Sequence, residues 1–392
     1  MHLSKRINTV APSATLAVSN LTKQMKARGE DVIDLSIGQP DFETPKHIEE
    51  AAIAAIKENK TSFYTQASGI PALRQAIADH IFDQTKVKYD PKQIVVTTGA
   101  KFALFGLMQV LLDPGEEVLV PIPGWVSYVE QIKLAGGVPR QVVAKANFKV
   151  TVDELEAQRT SKTRAVIINS PQNPTGAVYT KQELTLIGNW ALKHDILVVA
   201  DDIYRDLIYN GTEYTSMIQI DPAITENTVL ITGVSKSYAM TGWRIGVIAG
   251  PEKITAAMGK LLGHATGNTT AVAQYAALAA FSGTQAPVET MRQAFEKRLN
   301  AVYDRLVQIP GFELEQKPQG AFYLFPKVSR AAQLCHYTSV DDFVAALLEE
   351  TGVALVPGRA FGMPEHARLS YSKDMDSLMT AMDRIAAFVA NN

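Results

Sequence analysis

The stretch ITGVSKSYAMTGWRIGVIAG, Ile231 to Gly250, sets two apolar runs on either side of a short polar segment. The runs are TVLITG (228–233) and IGVIAG (245–250), and the segment between them is too short for the crossover helix that parallel neighbours need. It therefore predicts one antiparallel strand. Four further runs precede it: QIVVTTG (93–99), EEVLVP (116–121), RAVIINS (164–170) and DILVVAD (195–201). They are apolar throughout rather than alternating, the mark of strands buried on both faces. Amphipathic patterns such as TKQELTLIGNWALKHD (180–195) lie between several of them. The order strand, helix, strand predicts an α/β fold, with a large domain whose mostly parallel sheet is covered by helices joined by right-handed crossovers.

The same stretch places two cations, Lys236 and Arg244, against those apolar runs. Buried cations are costly unless paired or given a chemical role. A lysine taken alone is most often a solvated surface residue. What else reaches the same place decides between the two readings.

Composition narrows the classes. The chain has 392 residues, more than one ordinary core, so two domains are expected. Hydrophobic residues make up 46% and charged ones 20%, the balance of a soluble globular protein. The 38 basic and 40 acidic residues leave a formal charge of −2, and no basic stripe points to nucleic acid as a partner. The single cysteine, Cys335, excludes an internal disulfide framework and suits a reducing compartment. The first residues lack the apolar core of a signal peptide, and no run reaches the roughly 18 residues of a membrane span. A cytoplasmic protein is expected.

Past about residue 285 the texture changes. A long helical pattern, PVETMRQAFEKRLNAVYDRLVQ, leads to FELEQ, AFYLFP, VALVPG and HARLSYS as short strands, with helices at DDFVAALLEE and DMDSLMTAMDRIAAFVAN. These predict a smaller α/β domain over 289–392. The N-terminal segment 1–40, with a helix in PSATLAVSNLTKQMKARG stopping at Gly29, is expected to join it, leaving 41–288 as the large domain.

In open parallel sheets, ligands bind beyond the carboxyl ends of the strands. There the chain offers Gly99, Ala100 and Lys101 at a helix start, Asn173 in PQNPTG, Asp201, Tyr204, and Ser235 with Lys236. Each has an ordinary explanation. Gly99-Ala100 could be a tight turn, Asn173 a turn residue, Asp201 and Asp202 a solvated strand exit, and Tyr204 and Trp125 core aromatics. No His or Cys stands near enough to suggest zinc, and no metal is expected. Their convergence is what weakens the ordinary explanations.

One chemistry uses this set. Pyridoxal phosphate needs a lysine for a Schiff base, a carboxylate for its pyridine nitrogen, and a cation with N–H donors for its phosphate. A helix start approached through small residues supplies such donors. Partial burial among cations favours the neutral amine, which suits Lys236 to imine formation and proton transfer. Arg244 would then pair with the phosphate.

At these residues the sequence resembles the class I pyridoxal-phosphate aminotransferases of fold type I, and within them the bacterial aspartate aminotransferase subgroup. The resemblance runs from PSATLAV and LSIGQPDF through YTQASGIPALRQAI, NSPQNPTGAVY, ADDIY and SKSYAMTGWRIG to GAFYLFP and RLSYS. It implies that Lys236 is the Schiff-base lysine and catalytic base, and that Asp201 pairs with the pyridine nitrogen. Tyr204 and Asn173 would bond the ring hydroxyl oxygen, and Trp125 would stack on the ring. Gly99, Ala100, Ser235 and Arg244 would hold the phosphate. Tyr64 would reach the phosphate of a neighbouring subunit, which implies a homodimer with shared active sites. Arg368 would grip the substrate α-carboxylate beside the Gly38 backbone, and Lys101 would meet the distal carboxylate of a dicarboxylic substrate.

Two positions depart from the pattern. Ala100 stands where the family often has a second glycine, and it keeps the N–H. Ala11 stands where members that accept prephenate commonly carry a cation.

The resemblance thus implies amino-group exchange between an L-amino acid, aspartate first, and 2-oxoglutarate by a ping-pong mechanism. An aromatic aminotransferase, or a lyase or synthase on the same fold, would share the cofactor residues. A ligand-sensing regulator would need an added nucleic-acid-binding segment, and the first motif here starts by residue 12. A nicotinamide dehydrogenase would need a G-x-G-x-x-G after a strand, which is missing.

Overall fold

The computed structural model describes residues 2–391. Its main sheet has seven strands: β1 (Ile94–Thr98), β2 (Glu117–Ile122), β3 (Val138–Val143), β4 (Thr163–Asn169), β5 (Leu197–Asp201), β6 (Thr228–Gly233) and β7 (Ile245–Ala249). They lie in the order β1-β7-β6-β5-β4-β2-β3. β7 runs antiparallel to both β1 and β6, and every other pairing is parallel. The short link between TVLITG and IGVIAG has the predicted consequence.

Side-chain alternation explains why these runs are apolar throughout. Val95, Ile167, Val199, Val229 and Ile248 join the apolar layer beneath the helix Ala100–Leu111. Their neighbours Ile94, Val96, Leu230 and Val247 face the opposite layer, with Ile77 and Ala277 from helices on that side. Burying each such side chain contributes roughly 1.5–3 kcal/mol, so a polar residue on either face is costly. β3 escaped the sequence reading because it is the edge strand and is mostly accessible. Its residues, VPRQVV, have no reason to form a continuous apolar run.

The C-terminal part is only partly as expected. Val356–Pro357, Ala367–Ser370 and Tyr323–Leu324 form a three-stranded antiparallel sheet. VALVPG is split, because its first half, Val353–Ala354, pairs in parallel with Ile33–Asp34. FELEQ is not a strand, and only Glu313 makes an isolated bridge, to Lys327. With no second neighbour to extend the ladder, the alternation of FELEQ goes unused. The helix Ala14–Ala27 packs through Val18 and Met25 against Leu348 and Ala354. The long helix Ala286–Leu306 sends Val288 into the core beside the main sheet, whereas Met291, Phe295 and Leu299 enter the C-terminal core. Among the described residues, no helix is long and apolar enough to cross a membrane.

Candidate active site

The loop from β6 to β7 and the carboxyl ends of β4 and β5 face one cavity of about 480 Å3. Asn169 and Asp201 are register partners at the ends of β4 and β5, so the sheet itself sets them side by side. Asp201, Tyr204, Ser235, Lys236 and Arg244 line this cavity, as do Ala100 and Lys101 from the start of the helix after β1. Trp125, Asn173, Gly38 and Arg368, also singled out in the sequence, line it too.

Two other residues singled out there do not line it. Gly99 is the N-cap of the helix with φ +81, a backbone conformation that side-chain-bearing residues rarely adopt, and a side chain there would also displace the Arg244 guanidinium. Its glycine identity serves that close approach. Tyr64 is 95% exposed and stands away from the cavity of its own chain.

Lys236 is partly buried, and its Nζ donates to the Gly38 carbonyl at 2.6 Å. Burial, reinforced by Arg368 and Arg244 and opposed by Asp201, pulls its pKa down to about 8. The amine is therefore neutral far more readily than that of a surface lysine.

Asp201 is only 4% exposed. It accepts from the Tyr128 hydroxyl at 2.6 Å and the Ile203 N–H at 3.2 Å. Burial raises its pKa to about 6, although both donors pull the other way. Tyr204 hydrogen-bonds the Tyr323 hydroxyl at 2.9 Å, and burial raises its pKa far above the usual phenol range.

Arg368 is buried between the rings of Tyr323 and Phe361, at 4.4 and 4.9 Å from their centroids. Its Nη1 donates to Asn173 Oδ1 at 3.1 Å and its Nη2 to the Ser36 carbonyl at 2.7 Å. Its buried Nε has no partner. A guanidinium held by neutral acceptors with a donor to spare is ready for a carboxylate. Lys101 lies 5.1 Å above the Trp125 ring, and burial and Arg244 lower its pKa.

Tyr128, Asn169, Tyr323 and Ser36 were missed in the sequence. Asn169 ends an apolar run as Asp201 does, and the same strand-end argument would have selected it. Tyr128 and Tyr323 sit in apolar surroundings where an aromatic reads as core, and Ser36 acts through its backbone.

The residues present fit a phosphate-bearing pyridine aldehyde. A lysine with a depressed pKa faces the cavity with a buried carboxylate, and a helix start lies beside Arg244 for the phosphate.

Known proteins share this architecture. In solved structures, the aspartate aminotransferase of Thermus thermophilus with maleate superposes with a TM-score of 0.93 at 36% identity, covering 99% of this chain and 100% of that one. The aspartate aminotransferase of Geobacillus stearothermophilus is 52% identical over 99% of both chains. An asparagine–oxo-acid transaminase of Streptococcus mutans is 51% identical, again over 99% of both. The family described as aminotransferase class I and II matches residues 30–385. The chain belongs to the class I and II aminotransferases, transaminases that move an amino group between an amino acid and a 2-oxo acid.

Proposed function

We propose that this transaminase uses pyridoxal phosphate, takes aspartate as its preferred amino donor and 2-oxoglutarate as acceptor, and works as a homodimer in the cytoplasm. The observation that carries the reading is the pairing of Lys236, with its pKa near 8, and the buried Asp201 in one cavity with Arg368.

Bound at Lys236, pyridoxal phosphate supplies an electron sink for the substrate α-carbon. Asp201 would hold a proton at the pyridine nitrogen, and Tyr204 and Asn173 would bond the ring hydroxyl oxygen. Trp125, which lines the cavity, would pack against the ring. Ala100, Ser235 and Arg244 would take the phosphate, with Gly99 shaping the helix start beside them and Tyr64 contributed by a second copy. Arg368 and the Gly38 backbone orient the α-carboxylate, and Lys101 meets the distal one. Lys236, as a neutral amine, would move the proton at the α-carbon. With a large domain over 41–288 and a small one over 289–392 with 1–40, the lysine would lie on one part and Arg368 on the other. The high exposure of Tyr64 supports a partner surface there.

The test is glutamate formation from 2-oxoglutarate with aspartate, asparagine and phenylalanine as donors. Aspartate should give the highest kcat/KM. Equal use of asparagine or phenylalanine would remove aspartate from the reading. A spectrum that aspartate leaves unchanged would remove the cofactor.

A further inference from the structure

Asp34 is a buried carboxylate, 3% exposed, that no step above uses. It lies on Ile33–Asp34, the short strand leading into the segment that carries Ser36 and Gly38. Its Oδ1 accepts from both the Ser36 N–H, at 2.9 Å, and the Ser36 hydroxyl, at 2.6 Å. Its Oδ2 accepts at 2.8 Å from the hydroxyl of Thr22, a fully buried residue of the helix Ala14–Ala27. All three donors are neutral, so no directly bonded cation offsets the desolvation of this charge.

What those bonds hold is specific. The Ser36 carbonyl accepts from Arg368 at 2.7 Å, and the Gly38 carbonyl accepts from Lys236 at 2.6 Å. The Leu35 carbonyl accepts at 2.8 Å from the N–H of Ser370, on the strand that carries Arg368. The helix held at Thr22 lines the same cavity with Thr15 and Ser19. One carboxylate thus clamps a segment that contacts the substrate-side arginine and the lysine.

We propose that Asp34 is a positioning residue, fixing the Ser36–Gly38 segment so that Arg368 presents its guanidinium to the substrate α-carboxylate. This rests on the reading of Arg368 as the α-carboxylate site. Because Asp34 acts through Arg368, it serves every carboxylic ligand alike, whereas Lys101 serves only those with a second carboxylate. An asparagine at 34 keeps a carbonyl acceptor for Ser36, and an alanine keeps none.

The experiment titrates two non-reacting acids, maleate and 3-phenylpropionate, into the cofactor-loaded protein and follows binding by absorbance or calorimetry. Asp34→Ala should weaken both acids by the same factor, about tenfold or more. Asp34→Asn should stay within about threefold of the wild type, and Lys101→Ala should weaken maleate alone. Unchanged affinities in Asp34→Ala, even with a lowered melting temperature, would reduce Asp34 to a structural residue and overturn the proposal. So would Asp34→Asn falling as far as Asp34→Ala, since charge rather than placement would then be responsible. If Asp34→Ala does not fold, Ser36→Ala carries the test. It removes one of the two Ser36 bonds and should weaken both acids about threefold, and no change there would also overturn the proposal. A wild type that binds neither acid would instead overturn the reading of Arg368.

Discussion

The two halves of the cavity are built differently. Asp201 and Asn169 are placed by sheet register, and Lys236 and Arg244 stand on the loop between two fully buried strands. Arg368 sits within a four-residue strand, and its guanidinium is aimed by two rings, a backbone carbonyl and an amide oxygen. The first half is stiff because strands buried on both faces cannot move without leaving backbone hydrogen-bonding groups unpaired away from water. The second depends on a few hydrogen bonds across an irregular segment. Changes in the first half should therefore strike the chemical step, and changes in the second the grip on substrate.

The largest effect belongs to Lys236→Ala, which should cost at least about a thousandfold in kcat, as loss of a general base in a buried site does. Borohydride reduction of the wild type should label Lys236. A label on another lysine would break the assignment.

Asp201→Asn should lower kcat by about a hundredfold or more, because an uncharged ring is a poor electron sink. It should also stabilise the cofactor-free protein. The pKa of Asp201 is raised by burial from 3.8 to about 6, so the folded state binds more protons than the unfolded one across that window. Stability is thereby lost as pH rises from about 4 to 6, and the cost is full above 6. Its ceiling is roughly 3 kcal/mol, and Asn removes it. Melting curves at pH 4 and 7 check this. A variant less stable than wild type at pH 7 would contradict the stated role of burial.

On the substrate side, Arg368→Leu should raise KM by about ten- to hundredfold for aspartate and phenylalanine alike, with a smaller change in kcat. Lys101→Ala should lower kcat/KM for aspartate by about tenfold and spare phenylalanine. Equal losses for both donors would erase the distinction between the two cations.

The weakest effect is expected at Lys23, an exposed cation on the cavity rim. Lys23→Gln should lower kcat/KM for aspartate about two- to threefold at low salt, and the difference should vanish at high salt, because steering by exposed charge is screened. A salt-independent change would place Lys23 in direct contact with substrate.

The stiff half was legible in the sequence because its signals are local. An apolar run shows a strand buried on both faces, and the polar residue ending it marks the ligand side. Lys236 stood out by following such a run among small residues, and the brevity of its loop set the direction of β7. Asn169 obeys the same rule, ending its apolar run beside Asp201. FELEQ shows its limit: alternation proposes a strand, but a ladder needs a neighbour.

The sequence by itself thus determined six of the seven main-sheet strands, the sense of the last one, and the lysine, carboxylate and arginine that line the cavity at their carboxyl ends. Only the tertiary structure decided how they are held. Tyr128 bonds Asp201 from 73 positions away, and Arg368 reaches the Ser36 carbonyl across 332. A strand's burial is written in its own residues, since side-chain alternation has a period of two. A hydrogen bond between distant segments leaves no such period, and it exists only once packing has brought donor and acceptor together.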